Sequence, residues 1–95
     1  MTRLRVGVIG AGMWGRNHVR TVAGLAEAEL AAVCDTDPRT RERLARAYPG
    51  ARVTGNVDEL LAAADAVIVA SPAATHAALA LRCLDAGKPC LVEKP

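Results

Sequence analysis

A doubly wound α/β domain, its parallel sheet in the strand order 3-2-1-4-5, is the fold class this sequence predicts. Short β-rich runs alternate with longer helical runs along all 95 residues, and the connections between them are brief. The clearest strand, Ala66-Val67-Ile68-Val69-Ala70, is a continuous apolar run. A strand buried on both faces needs that pattern, whereas a half-exposed one alternates. In such sheets ligands sit beyond the carboxyl ends of the strands, at the switch point, which here falls between strands one and four.

Each element follows from local composition. Leu4 to Ile9 forms strand one, and Met13 to about Leu25 a helix. Glu29 to Cys34 forms strand two. Asp37-Pro38 opens the second helix, with proline at its first position, and Pro49-Gly50 stops it after Tyr48. Arg52 to Thr54 is a weak third strand. Val57 to Ala63 is a short helix with Asp58 and Glu59 in its first turn, where the helix dipole favours acids. After strand four, Ser71-Pro72 reads as an N-cap followed by a first-turn proline, and the helix runs to Ala86, ended by Gly87. Pro89 to Val92 is the fifth strand. The whole chain, residues 1–95, is one domain, near the low end for an independently stable core.

Composition narrows the function. The chain is 52% hydrophobic and 23% charged, which is globular, with one Trp and one Tyr, so the core is aliphatic. A net charge of +2 with scattered basic residues argues against a nucleic-acid partner. No apolar run nears the roughly 18 residues of a membrane span. The opening MTRLRVGVIG places arginines before an apolar run, yet the run is too short for an export signal and no small-residue cleavage site follows. Cys34, Cys83 and Cys90 are odd in number and lack CxxC spacing, so they are expected to be reduced, buried thiols in a cytoplasmic protein. No metal site is assigned.

The stretch VGVIGAGMWGRNH carries the strongest chemical signal. Gly10, Gly12 and Gly15 spell G-x-G-x-x-G between a predicted strand and a predicted helix, inside a βαβ unit. Gly10 permits the tight turn, Gly12 lets backbone approach a pyrophosphate, and Gly15 lets the helix pack against the strand. The helix start offers no Ser, Thr, Asp or Asn cap, so its N–H groups are available to an anion. Met13 and Trp14 fall inside this loop and are assigned to the cofactor side with it; for Trp14, shielding the pyrophosphate and simple packing stay open. Asp35 ends strand two, where an acid hydrogen-bonds the adenosine ribose and repels a 2′-phosphate, so NAD is expected rather than NADP. Arg39 is the opposing candidate, as a 2′-phosphate ligand, although with Arg41, Arg43 and Arg46 it also reads as a solvated basic helix face. His18 is expected to pack or to hydrogen-bond at the surface.

At the far end, Ser71 either caps its helix or faces the nicotinamide end of the crevice. His76 is either structural or near a substrate. Glu93 and Lys94 follow strand five, and alternation of an extended chain sends them to opposite sides, so only one can face the crevice. From the residues alone, Lys94 is either a surface lysine at a chain end or a group beside a bound nicotinamide that donates to a substrate oxygen or relays its proton, and the surface reading leads.

Together GVIGAGMWGRNH, AVCDTDP, DAVIVASPAATH and CLDAGKPCLVEKP resemble the glucose–fructose oxidoreductase / inositol dehydrogenase (Gfo/Idh/MocA) family, over essentially the whole chain. That resemblance implies an N-terminal Rossmann domain, with Gly10, Gly12, Gly15 and Asp35 on the dinucleotide and Ser71, Pro72, His76 and Glu93 toward its nicotinamide side. It makes Lys94 of the EKP signature the catalytic residue, assisting proton transfer at a substrate hydroxyl. The substrate implied is a sugar, nucleotide sugar or cyclitol, and SPAATH is most similar to members acting on nucleotide-linked or amino sugars. Ala73 stands where many members carry Asn or Pro. The family's C-terminal substrate domain, with its histidine and acid, has no counterpart in these residues. The chain alone is therefore expected to bind cofactor without turnover and, with strand five as an apolar edge, to self-associate. The alternatives are a non-catalytic dinucleotide-binding or sensor module docked to a partner, and a methyltransferase using S-adenosylmethionine, against which the glycine spacing and EKP argue.

Overall fold

The computed structural model describes residues 3–93, the side chains of Met13 and Trp14 apart. Five strands, β1 (Leu4–Ile9), β2 (Ala28–Cys34), β3 (Arg52–Thr54), β4 (Ala66–Val69) and β5 (Cys90–Val92), form one sheet in the order β3-β2-β1-β4-β5. Every neighbouring pair is parallel, and β1 lies at the centre, Val8 facing Val33 on one side and Ile68 on the other. The sheet order matches the expectation from sequence.

The helices α1 (Met13–Ala23), α2 (Pro38–Ala47), α3 (Val57–Ala63) and α4 (His76–Asp85) cover the two faces. Val6 and Val8 of β1 meet Val19 and Val22 of α1 and Leu44 of α2 in one apolar cluster. Ile9, on the opposite face of the same strand, joins Leu60 and Leu61 of α3 and Cys83 of α4 in the other. Alternation along one strand thus feeds two cores. Leu60, Val8, Val33, Val67 and Val69 lie at or near zero exposure, each such burial contributing roughly 1.5–3 kcal/mol.

Local chemistry sets the helix ends. Asp37 accepts from the Arg39 backbone N–H at 3.0 Å and caps α2, whose first residue is Pro38. Asn56 does the same for α3 through the Asp58 N–H, a cap that sequence reading passes over. After α4 the chain closes with Gly87 N–H on Leu84 and Lys88 N–H on Cys83, and Gly87 takes φ +71°.

The start of α4 departs from expectation. Ser71 does not cap a helix; Pro72 is extended (φ −53°, ψ 145°), Ala73–Thr75 make a single 3₁₀ turn, and α4 begins at His76. Proline fixes φ but leaves ψ open. Here Thr75 donates its hydroxyl to the Pro72 carbonyl at 2.7 Å and holds the turn instead. Elsewhere the bounds differ by one or two residues: α1 ends at Ala23, α4 at Asp85, and β2 begins at Ala28.

All three cysteines are free thiols, Cys34 and Cys83 buried and Cys90 partly so. Among the described residues no helix is long and apolar enough to cross a membrane.

Candidate functional site

The loops that leave the carboxyl ends of β1 to β4 converge on one cavity of about 560 Å³. Gly10 comes from the first loop, Asp35 from the second, Gly55 from the third and Ser71 from the fourth, while Cys34 and Leu79 supply apolar lining. This is the crevice that the strand order predicts.

The three motif glycines have three different causes. Gly10 has φ +90°, and a Cβ there would lie 2.7 Å from the Ser71 nitrogen. A Cβ on Gly15 would lie 1.7 Å from the Gly10 carbonyl oxygen, so α1 can approach the loop only because that position is bare. Gly12 differs from both: its φ of −71° is open to any residue, and a Cβ there meets nothing within 4 Å. The protein's own packing demands Gly10 and Gly15 but makes no demand at Gly12. Gly12 is also the N-cap of α1, with no side-chain cap and no acid in the first turn. The unpaired N–H groups and the positive end of the helix dipole therefore face space that backbone leaves clear, as an anion requires.

Asp35 ties this loop to the next. One carboxylate oxygen accepts the Ala11 N–H at 2.8 Å and the other the Asp37 N–H at 2.8 Å. An ionised carboxylate offers about four lone-pair positions, so two remain for further donors such as ribose hydroxyls. Its neighbour Cys34 is buried, and that burial pushes the thiol above its ordinary value of 9.0, the Asp35 charge adding to the rise and Arg41 opposing it.

Of the other assigned residues, Ser71 and Pro72 line the cavity, whereas Arg39, His76 and Glu93 do not. Pro72 lines it beside Ser71, whose hydroxyl pairs with that of Thr75 at 2.6 Å. His76 directs Nε2 at the Ser71 carbonyl, 2.7 Å away, so its proton sits on Nε2 and the ring braces the turn. Arg39 is exposed, and its backbone N–H serves the Asp37 cap. The arginine that does approach residue 35 is Arg41, which donates Nη1 to the Asp35 carbonyl at 2.8 Å. Sequence reading grouped it with the solvated arginines. Yet it stands three residues before the buried Leu44 on α2, a spacing that turns it toward the sheet.

Glu93 donates its N–H to the Val69 carbonyl and sets Oε2 2.9 Å from His18 Nε2 of α1, both side chains about a quarter to a third exposed. It thus braces the end of β5 against α1 and does not line the cavity. His18 keeps the hydrogen-bonding role expected of it. Lys94 lies outside the described residues, as do the side chains of Met13 and Trp14.

Comparison with known proteins agrees with this geometry. Residues 4–95 match the family model described as an oxidoreductase family with an NAD-binding Rossmann fold, GFO_IDH_MocA. Inositol 2-dehydrogenase 1 of Saccharopolyspora erythraea is 48% identical over 97 aligned positions, covering 97% of this chain and 28% of that enzyme. The crystal structure of GenD2 from gentamicin A biosynthesis, in complex with NAD, superposes with a TM-score of 0.91 at 41% identity, covering the whole of this chain and 28% of that one. The WlbA dehydrogenase of Bordetella pertussis, in complex with NADH and UDP-GlcNAcA, gives 0.89 at 33% identity over 99% of this chain and 30% of its own. The chain thus spans less than a third of the length of the proteins it matches.

Proposed function

Because the chain belongs to the oxidoreductase family with an NAD-binding Rossmann fold, we propose that it is the cofactor-binding part of an NAD-dependent dehydrogenase. The substrate is a secondary alcohol of a sugar, a nucleotide sugar or a cyclitol. The observation that carries the reading is Gly12, a bare position at an uncapped helix N-terminus that the fold does not need bare. A diphosphate supplies the missing reason.

The residues divide the work. The α1 N-terminus and the Gly10–Gly12 backbone hold the pyrophosphate, and the free lone pairs of Asp35 take the ribose hydroxyls. The Ser71-Pro72 turn, braced by His76, borders the nicotinamide side. When bound, nicotinamide supplies the hydride acceptor, while the protein contributes position and electrostatics. Lys94 holds or relays the proton of the substrate hydroxyl, and the His18–Glu93 pair anchors the strand end that precedes it. Substrate contacts come from a further domain, as the family resemblance implies, so this chain binds cofactor without turnover. Its reduced thiols suit a cytoplasmic setting.

Calorimetric titration of the 95-residue chain with NADH, and separately with NADPH, tests this. NADH should bind, and more tightly than NADPH, with no NADH produced from NAD and myo-inositol. Binding of neither nucleotide would overturn the assignment.

A further inference from the structure

Two thiols that the dinucleotide site does not use stand together at the edge of the sheet. Cys83 of α4 is fully buried, and Cys90 opens β5 and is only partly so. Both belong to one apolar cluster, and their side chains lie in hydrogen-bonding contact. The backbone brings them there. Gly87, at φ +71°, turns the chain after α4, and the Lys88 N–H returns to the Cys83 carbonyl at 2.9 Å. Cys90 then pairs with Val67 of β4 and faces the cluster that holds Cys83. Cys34 shares that cluster but sits on β2, three steps from β5 in the sheet order, on the order of 14 Å away at the usual strand spacing. Neither Cys83 nor Cys90 lines the cavity, so the pair is independent of the dinucleotide reading.

We propose that Cys83 and Cys90 form a peroxide-responsive dithiol whose oxidation staples β5 to α4. Cys90, the more exposed, reacts first: its sulfur takes one oxygen from hydrogen peroxide, giving the sulfenic acid and a water. The Cys83 sulfur then attacks the Cys90 sulfur. The S–O bond breaks, the S–S bond forms, and the departing hydroxide takes the Cys83 proton as a second water. The two thiols lose two electrons and the peroxide gains them. Burial, with the Cys90 contact adding to it, pushes the Cys83 thiol above its ordinary 9.0. It therefore stays protonated and serves as the resolving partner rather than the first to react. A disulfide demands closer approach than thiol contact, and β5, with a strand on one side only, can shift to meet it. The closed ring fixes the strand just before Glu93, whose N–H bonds the Val69 carbonyl.

The test treats the full chain with hydrogen peroxide and follows it by intact mass and by cleavage on the amino side of aspartate, which separates Cys83 from Cys90 at Asp85. The oxidised chain should run as a single chain in non-reducing, denaturing electrophoresis and weigh less by two hydrogen atoms. The fragment ending at Leu84 should stay joined to the one beginning at Asp85 until dithiothreitol is added, while Cys34 still takes iodoacetamide after unfolding. Amide exchange at Glu93 should slow on oxidation and return on reduction. Cys83→Ser should let the Cys90 sulfenic acid persist, so that dimedone traps it where the native chain gives no adduct. If that variant does not fold, Cys90→Ser replaces it, and Cys83 should then resist the same dose of peroxide. Cys90 driven to its sulfinic acid with Cys83 left free, a link to Cys34, or a bond between two chains overturns the inference. So does a joined pair of fragments with unslowed exchange at Glu93, or a Cys83 that oxidises without Cys90.

Discussion

Alanine at Gly15 and alanine at Gly12 should have opposite consequences. At Gly15 the new methyl carbon would start 1.7 Å from the Gly10 carbonyl oxygen and 2.6 Å from its carbon. Those are backbone atoms of a turn fixed by φ +90°, so they cannot rotate aside. The first turn of α1 must retreat by more than an ångström, which places the cost at the upper end of overpacking, about 3 kcal/mol. That is a large part of a total stability on the order of 5–15 kcal/mol. For a domain of this size it lowers the melting temperature by roughly 12–24 °C. At Gly12 a methyl group meets nothing within 4 Å. The weaker N-cap preference of alanine costs about 0.5–1 kcal/mol, and the stiffer unfolded chain returns about 0.4–1 kcal/mol. Stability should stay nearly constant while NADH affinity falls, on the order of tenfold or more, because on the function proposed above the methyl group would take the place of the diphosphate. Circular-dichroism melts and calorimetric titration of both variants decide it. A Gly15→Ala chain that melts within about 3 °C of native, or a Gly12→Ala chain that keeps native NADH affinity, would refute the division of labour drawn here.

The remaining expectations concern thiols, the strand end and association. Burial raises Cys34 and Cys83 above the ordinary 9.0, so the fold favours their protonated forms. Their contribution is complete below pH 9 and is lost as pH climbs through the higher folded values. Urea midpoints should hold level up to about pH 8 and drop by about pH 10, and replacing both thiols with alanine should flatten that slope. Below that range iodoacetamide should label Cys90 before either buried thiol, as peptide mapping would show. Glu93→Gln weakens a partly exposed pair with His18, so stability should fall by only roughly 0.2–1 kcal/mol. Amide exchange at Glu93, whose N–H bonds Val69, should nonetheless quicken; unchanged exchange would deny that the pair anchors β5. Leu91, 58% exposed on edge strand β5, with Leu4 and Leu25 nearby in one apolar hollow, should make the chain self-associate. A monomeric sedimentation profile at high concentration would contradict this.

Much of the fold was legible because its signals are local. The bounds of β1, β3 and α3 agree with the sequence reading, since apolar runs and turn residues mark them directly. The start of α4 was not legible. Ser71-Pro72 satisfies the rule for a helix cap, but the outcome depends on ψ of Pro72 and on a competing hydroxyl at Thr75, which no cap rule weighs. Within the site, the glycine spacing and Asp35 were readable from their place after two strands. Arg41 was readable in principle from its phase relative to Leu44, and was hidden by treating the arginines as one charge run. The pairing of His18 with Glu93 joins positions 75 residues apart, so only the sheet order brings it about.

The central place of β1 dictates how this chain can assemble. Val6 pairs with Leu30 and also with Ala66, and the second contact closes a far longer loop than the first. Loop closure costs entropy before distant pairing returns anything. The segment from β1 through β3 can therefore gather first as a three-stranded half, with one flank of β1 still exposed. A nascent chain on the ribosome carries that bare flank until residues 66–69 emerge, and there a holding chaperone would find its target. Pausing synthesis before β4 should leave the chain protease-sensitive at that flank, and the emergence of β4, which pairs with β1, should remove that sensitivity.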